Sequence, residues 1–528
     1  MRLFTTVTAL RCFLDLSRGR QRRSDEFSPM CSNPYLTIGL VPTMGALHFG
    51  HLSLIQRARR ENKVVVVTVF VNPLQFGPEE DFDRYPRTLE ADRQLCEQAG
   101  VDAMFAPTPQ ELGIFSQQPT QVMPPSSMMS IMCGLSRPGH FDGVATIVTK
   151  LLNLVQPDRA YFGQKDAQQV AIIQRLVADL NLPVEIVPCP IVRESSGLAL
   201  SSRNRYLNSE ERDQATALHK GLSQADRAFR SGERLSVNLI QAVKTELEKV
   251  PTMKPEYVEL VNPTTLDRLE KVEETGLLAI AARLGSTRLI DNVFLRDRQP
   301  IVAIDGPAGA GKSTVVKRVA QELGLLYLDT GAMYRALTWL VLKSGIAIDD
   351  EPEIAELVSR CLIEFDNTGR SSSALQQSAT PRILMNGQDV TEAIRSLEVT
   401  AQVSAIAAQA TVRKVLVRQQ QQFGQRGGIV VEGRDIGTNV FPDAELKIFL
   451  TASVQERARR RQQDLKNQGK GEVSLQELEK LISERDRKDS TRTLSPLKKA
   501  DDAIELQTDH LTIEEVVHAI VRLYQERV

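Results

Sequence analysis

The chain has 528 residues, 42% of them hydrophobic and 25% charged, with a formal net charge of −1. That balance excludes wholesale disorder, collagen and coiled coil, and at ~100–200 residues per domain the length predicts several domains. A near-neutral chain has no global electrostatic reason to bind nucleic acid or an anionic membrane, so neither is expected as a partner.

At the N-terminus, Leu3–Leu14 is broken by Thr5, Thr6, Thr8 and Arg11, so it lacks the apolar core of a secretory signal. It reads as an amphipathic helix followed by a loop, with a transit peptide as the alternative. A strand at Leu36–Val41 runs into Pro42–His51, with glycines at 45 and 50, and then into an amphipathic helix to about Arg60. Further strands are predicted at Val64–Val71, Met104–Ala106, Arg159–Phe162 and Val184–Val187. The longest apolar run, Val64–Val71, is interrupted by Thr68 and falls far short of the ~20 residues of a membrane span. Residues 112–136 carry no charge but contain Pro119, Pro124 and Pro125, and read as a loop or lid. Near residue 190 the strand–helix alternation gives way to long helices and two terminal strands, the last at Leu289–Leu295. A polar linker, Arg296–Pro300, places a boundary near 297.

The same grammar then begins again. A strand at Ile301–Ile304 enters a glycine-rich turn and a helix to about Leu323, with further strands at Leu325–Leu328, Ile429–Val431 and Leu446–Leu450. Residues 351–400 read as an insertion, and Asn367–Ser378 as a polar surface loop. Alternating strands and helices predict parallel sheets. The expected fold class is therefore α/β in two unrelated units, 1–296 (nucleotide-binding 1–189, smaller subdomain 190–296) and 297–528. Six scattered cysteines without a Cys-x-x-Cys pair suggest reduced thiols in a cytoplasm.

In the second unit, Gly306-Pro307-Ala308-Gly309-Ala310-Gly311-Lys312-Ser313-Thr314 contains G-x-x-x-x-G-K-[ST] between a strand and a helix. Such a loop turns backbone N–H groups around phosphate oxygens, Lys312 reaches the β- and γ-phosphates, and Ser313 offers a hydroxyl to Mg²⁺. ATP with Mg²⁺ is the expected cofactor. Arginines at strand ends, Arg335 in Asp329–Arg335 and Arg434 in Val431–Asp435, converge where a second phosphate would sit. With Ser483–Arg492, these strings make the unit resemble bacterial cytidylate kinases over 298–528. The resemblance implies a nucleoside monophosphate kinase fold with an inserted CMP-binding subdomain, acting on CMP and dCMP. It implies that Thr330, Arg335 and Arg434 hold the CMP phosphate, Ser404, Arg413 and Asp435 read cytosine, and Arg485, Asp489 and Arg492 hold sugar and phosphates. Glu432 stands where many members have Asp. The expected lid is Glu456–Arg461, with its arginines facing the moving phosphoryl group.

In the first unit, His48-Phe49-Gly50-His51 opens a helix, where imidazoles and free N–H groups can bind phosphate. No third ligand lies nearby for zinc. Negative charge developing on phosphates suits His48, His51, Lys165 and Arg203, whereas Gln75 and Gln169 suit a neutral grip on a small hydroxy acid. Gln168 is read equally well as a surface residue. His48–His51 alone indicates only the nucleotidyl-transfer class. Phe70–Phe76, Tyr85–Thr88, Ser136–Phe141, Phe162–Gln169 and Leu200–Asn204 add specificity, and the unit resembles pantothenate synthetases (pantoate–β-alanine ligases) over 36–296. Their usual Gly-Glu-Lys-Asp is Gly-Gln-Lys-Asp here, at 163–166. By resemblance Met44, Gly45, Ala46, Leu47, His48, Phe49, Gly50, His51, Gly163, Gln164, Lys165, Asp166, Val192, Leu200, Ser201, Ser202 and Arg203 contact ATP. Gln75 contacts pantoate and β-alanine, Gln169 contacts pantoate, and His51 is the expected proton donor. Catalysis is thus assigned to His51, His48, Lys165, Lys312 and Arg434. Residues 18–34 look like an added segment. A second copy of the chain, docking through the first unit, is the one macromolecular partner entertained. Open alternatives are a nucleotidyltransferase, a kinase for another nucleoside monophosphate, and a ligase regulated by a nucleotide-sensing module.

Overall fold

The structure is a computed structural model that describes residues 1–19, 37–78, 80–114, 120–366, 382–467, 473–491 and 496–527. Arg492, the polar stretch Asn367–Ser378 and residues 20–34 lie outside the described residues. The chain divides into two compact units, Met1–Asp297 and Arg298–Val528.

In the first unit, β1 (Arg2–Phe4), β2 (Ile38–Thr43), β3 (Val64–Val69), β4 (Ala103–Phe105), β5 (Arg159–Gly163) and β6 (Glu185–Cys189) form one sheet. Every pairing is parallel, and the order is β1-β4-β3-β2-β5-β6. Helices cover both faces, which is why β3 is a nearly continuous apolar run, broken only by the buried Thr68, rather than alternating. Strand order reverses between β2 and β5, so the loops leaving their carboxyl ends share one crevice.

The N-terminus differs from the expected single helix. Residues 2–4 add an edge strand to β4, and Thr6 then caps a helix, Val7–Ser17, whose Leu10 and Leu14 are buried. Residues 112–136 are not simply a loop. Short helices at Ser126–Met129 and Met132–Ser136 send Met128, Ile131, Met132 and Cys133 into the core, which accounts for the missing charges. After residue 190, helices Ala217–Arg230 and Ser236–Leu247 pack on three antiparallel strands rather than two: β7 (Met253–Val261), β8 (Thr275–Leu284) and β9 (Thr287–Arg296). The first half of β7, Lys254–Glu256, is exposed and polar, which hid the strand in the sequence.

In the second unit, β10 (Ile301–Asp305) is the central strand. β11 (Leu326–Asp329) follows, then a small antiparallel sheet of β12 (Ile363–Asp366), β13 (Arg382–Met385) and β14 (Gln388–Asp389) within the insertion. β15 (Ile429–Gly433), β16 (Leu446–Thr451) and an unanticipated β17 (Ile504–Gln507) complete a parallel sheet ordered β11-β15-β10-β16-β17. β17 escapes a reading based on apolar runs because half of its four residues are exposed.

Candidate active sites

In the first unit, His48 caps the helix Phe49–Glu61, and the two histidines cap each other. His48 Nδ1 accepts the Gly50 N–H at 3.1 Å, and His51 Nδ1 faces the His48 N–H at 3.4 Å. This consumes N–H groups that the sequence left free for phosphate. With both Nδ1 atoms accepting, the neutral rings carry their hydrogen on Nε2. Burial, reinforced by the neighbouring Lys165 charge, lowers the His48 pKa to about 4. Burial and then His48 lower His51 to about 3. At neutral pH the His51 ring is therefore held uncharged, with its Nε2–H as the hydrogen-bond donor.

Gln75 lies at the end of a short 3₁₀ turn, Pro73–Gln75, where its Oε1 accepts from Asn72 Nδ2 at 3.1 Å and its Nε2 faces Met44 Sδ. Gly143 makes this possible, because a Cβ there would stand 2.3 Å from the Leu74 carbonyl oxygen. Arg137 and His140 both donate to the Gln75 carbonyl, and Arg137 is held by Glu80 through two 2.6 Å bonds. Burial and the adjacent Arg137 lower His140 to about 4. The sequence flagged Ser136–Phe141 as a motif, but its role of holding Gln75 appears only in three dimensions.

The Arg203 guanidinium forms a bidentate pair with Asp81 at 2.7 and 2.9 Å, so its charge is compensated within the protein. Nothing local marked Asp81, which lies 122 residues away in sequence. Gln168 is not on the surface: it accepts the Cys133 N–H and donates to the carbonyls of Met128 and Ile131. Asn292 on β9 donates to the carbonyls of Gln164 and Lys165 and so fixes the loop after β5.

A cavity of about 240 Å³ is lined by Met44, His48, Gly50, His51, Gln75, Gly163, Lys165, Asp166, Gln169, Val192, Leu200, Ser201, Ser202 and Arg203. Lys165, Asp166, Gln169, Ser201 and Arg203 also line an adjoining cavity of about 360 Å³. Of the remaining expected ATP contacts, Gln164 contributes its carbonyl to Asn292 and lines neither cavity. Ala46 and Leu47 are buried, and both turn their N–H groups onto Asp92. Gly45 and Phe49 flank the cavity-lining residues in sequence and are not among the lining residues themselves.

In the second unit, Lys312 is buried, and its Nζ donates to the carbonyls of Gly306 and Pro307 at 2.8 and 2.7 Å. Burial, with the Arg434 charge nearby, holds its pKa well below the usual lysine range. Ser313 Oγ donates to Glu432 at 2.9 Å, while the second Glu432 oxygen is buried near the Tyr327 hydroxyl with no hydrogen bond among the described residues. Burial and the neighbouring Asp329 raise the Glu432 pKa. Thr330 donates to the Glu432 carbonyl. Asp305 accepts the N–H groups of Ile436 and Gly437 at 2.8 and 2.7 Å, fixing the loop that carries Arg434 and Asp435, and burial pushes its pKa up to about 6.

Arg413 and Asp435 form a buried pair at 2.6 Å. Arg434 reaches Asp489 at 3.2 Å, and Arg335 reaches Thr400. Partial desolvation and then Arg434 lower the Arg485 pKa, with Arg335 and Arg461 adding to the effect, so these like charges converge. Ser404 is exposed on the helix Leu397–Ala408 and makes no side-chain hydrogen bond among the described residues. The expected lid divides. Arg457 is buried, paired with Asp486 and bonded to the Ala308 carbonyl, so it braces the phosphate loop. Arg459 and Arg460 are tied to Glu456. Of the four arginines, only Arg461 has no hydrogen bond or ion pair among the described residues.

A family model for pantoate-beta-alanine ligase matches residues 18–294, and one for cytidylate kinase matches residues 302–526. The chain is 65% identical over 536 residues to a bifunctional pantoate ligase/cytidylate kinase of Nostoc sp. strain PCC 7120, covering 100% of this chain and 99% of that relative. A protein of the same description from Trichormus variabilis is also 65% identical, with the same coverage. Among solved structures, the pantothenate synthetase of Thermus thermophilus is similar at a TM-score of 0.51 and 44% identity. It covers 56% of this chain and 99% of that one.

Proposed function

The chain belongs to the bifunctional pantoate ligase/cytidylate kinase family, and from that premise we propose how its residues divide the work. The enzyme is both a pantothenate synthetase and a cytidylate kinase, and both activities use ATP. Residues 1–296 carry the ligase and residues 297–528 the kinase.

In the ligase, the pantoate carboxylate attacks the α-phosphorus of ATP and pyrophosphate leaves. The β-alanine amine then attacks the acyl carbon of the pantoyl-adenylate and AMP leaves. His48 and His51 offer Nε2–H to phosphate oxygens as neutral donors, so charge developing on the phosphates is met by hydrogen bonds in a site already partly dry. Lys165 supplies the positive charge that Arg203, paired with Asp81, does not supply freely. Gln75 and Gln169 hold pantoate, and Gln75 also meets β-alanine. The loops around Gly163, Val192 and Leu200–Ser202 bound the nucleotide. The observation that carries this reading is the reciprocally capped histidine pair on the wall of the 240 Å³ cavity.

In the kinase, Gly306–Thr314 cradles ATP, and Lys312 exchanges its two loop carbonyls for phosphate oxygens. Mg²⁺ would fit beside Ser313 and Glu432, where one carboxylate oxygen has no hydrogen bond among the described residues; bound with the nucleotide, it would neutralise charge on the phosphates. Thr330, Arg335, Arg434, Arg485, Asp489 and Arg492 hold the acceptor phosphate and sugar. Asp435 and Arg413 read the cytosine of CMP or dCMP, with Ser404 arriving from the inserted helices. The converging, mutually repelling arginines carry this reading, because such a cluster is stabilised by an anion.

No helix among the described residues is long and apolar enough to cross a membrane. A cytoplasmic setting follows from the nucleotide substrates, and a homodimer through the first unit completes the reading. Sedimentation of the full chain tests the dimer. Product identification by mass tests the chemistry: AMP and pantothenate from ATP, pantoate and β-alanine, and CDP from ATP and CMP. AMP release that ignores β-alanine overturns the ligase reading. Equal phosphorylation of AMP, GMP and UMP overturns the acceptor assignment.

A further inference from the structure

The turn between β2 and the histidine pair is strained. Gly45 has φ +81°, and Ala46, which carries a Cβ, has φ +51°. Two consecutive left-handed residues, one of them not glycine, persist only where the surroundings over-determine them. Here two side chains do so: Thr43 Oγ1 accepts the Gly45 N–H at 3.2 Å, and Asp92 holds the two residues that follow. Asp92 is 1% exposed, and its two oxygens accept the N–H groups of Ala46 at 2.9 Å and Leu47 at 2.7 Å. Thr88 Oγ1 donates to the same carboxylate at 3.3 Å. No cation pairs with Asp92 among the described residues. It sits in the first turn of the helix Leu89–Gln98, where the helix dipole favours a negative charge. The clamped turn ends on Met44 at one side, against Gln75 Nε2, and on His48 at the other.

We propose that Asp92 is a positioning residue of the ligase: it holds the left-handed Gly45–Leu47 turn so that Met44 and the His48–His51 pair stay in register with the phosphates. It touches no substrate. The inference rests on the ligase reading of the first unit, and the parent protein's own pantothenate synthesis tests that reading separately.

The experiment compares Asp92→Asn with the double variant Asp92→Asn/Ala46→Gly in the full chain, using CDP formation as an internal control. The amide sets a donor against one of the two N–H groups. We expect kcat for pantothenate formation to fall ~10–100-fold with KM for ATP within about threefold, since an interaction realised in the transition state is lost. Glycine enters the left-handed region without penalty, so Ala46→Gly should restore kcat at least about threefold in the Asp92→Asn background. A single variant within about threefold of the parent overturns the proposal. So does a double variant with no recovery, since a residue that merely fills the core would not be rescued by relaxing the turn. Amide exchange on the parent protein adds a measurement independent of variant folding: slow exchange at Ala46 and Leu47 is expected, and fast exchange there overturns the clamp.

Discussion

The two loops proposed to bind phosphate follow the first central strand of their parallel sheets, and each candidate site rests on a buried aspartate that accepts two consecutive backbone N–H groups. Asp92 clamps Ala46 and Leu47 in the first unit, and Asp305 clamps Ile436 and Gly437 in the second. Their electrostatics differ. The ligase site is neutralised in advance: its imidazoles are uncharged, and Arg137 and Arg203 are paired with Glu80 and Asp81. The kinase site crowds Arg335, Arg434 and Arg485 together and folds Lys312 onto its own loop carbonyls. A site that must hold a carboxylate, an amine and a nucleotide in succession gains selectivity from directed neutral donors. A site that clamps two phosphorylated nucleotides gains from excess positive charge.

The largest expected effect tests the independence of the two loops. Lys312→Ala should reduce CDP formation to background through lost β/γ-phosphate contacts, while pantothenate synthesis continues. Assaying both products on one preparation checks this, and a joint loss with the fold intact breaks the two-site picture. Next, His51→Ala should cost ~10²–10³ in the rate of pantothenate formation, the usual effect of removing one preorganised donor, with CDP formation unchanged. A rate within tenfold of the parent removes His51 from the phosphate contacts.

A smaller effect concerns acceptor choice. Asp435 can accept from the cytosine amino group, whereas the uracil carbonyl would face the carboxylate. An unpaired buried polar group costs ~1–3 kcal/mol, so kcat/KM should favour CMP over UMP by at least ~10-fold. Asp435→Asn should shrink that ratio. Because Asn keeps one hydrogen bond to Arg413, the stability lost should stay below the ~3–5 kcal/mol of an abandoned buried charge. Steady-state kinetics with both nucleotides, together with urea unfolding, separate the two consequences.

The smallest effect sets the units apart by pH. His48, His51 and His140 have folded pKa values lowered to about 4, 3 and 4. The unfolded state therefore binds more protons below about pH 6.5. Their contribution is fully present above that value and is lost as pH falls toward 4, each histidine adding a slope of at most about 1.4 kcal/mol per pH unit. Asp305, raised to about 6, has the opposite sign: its contribution is present below the usual carboxylate pKa and is lost as pH rises through 6. Trp339, the single tryptophan, reports the second unit by fluorescence. Unfolding seen by circular dichroism but not by Trp339 reports the first. Between pH 6.5 and 4 the first unit should lose stability relative to the second, and Asp305→Asn should flatten the second unit's share.

Local chemistry was legible from the sequence. Glycines beside a lysine or between two histidines, each after an apolar strand, point to turns suited to phosphate because the backbone requirement is contained within ten residues. The same locality made the α/β class and most strands readable. What the tertiary structure decided is the state of each side chain. Asp81 lies 122 residues from Arg203 and takes its charge. Asp92 lies 46 residues from Ala46 and holds its N–H group. Arg457 turns inward as a brace where the sequence suggested a mobile clamp. β7 and β17 were invisible as runs because their polar residues face water. Burial also sets the charge state of His51, because desolvation disfavours the charged ring. Partner choice and dielectric depend on what folding brings from a distance, which a motif does not encode.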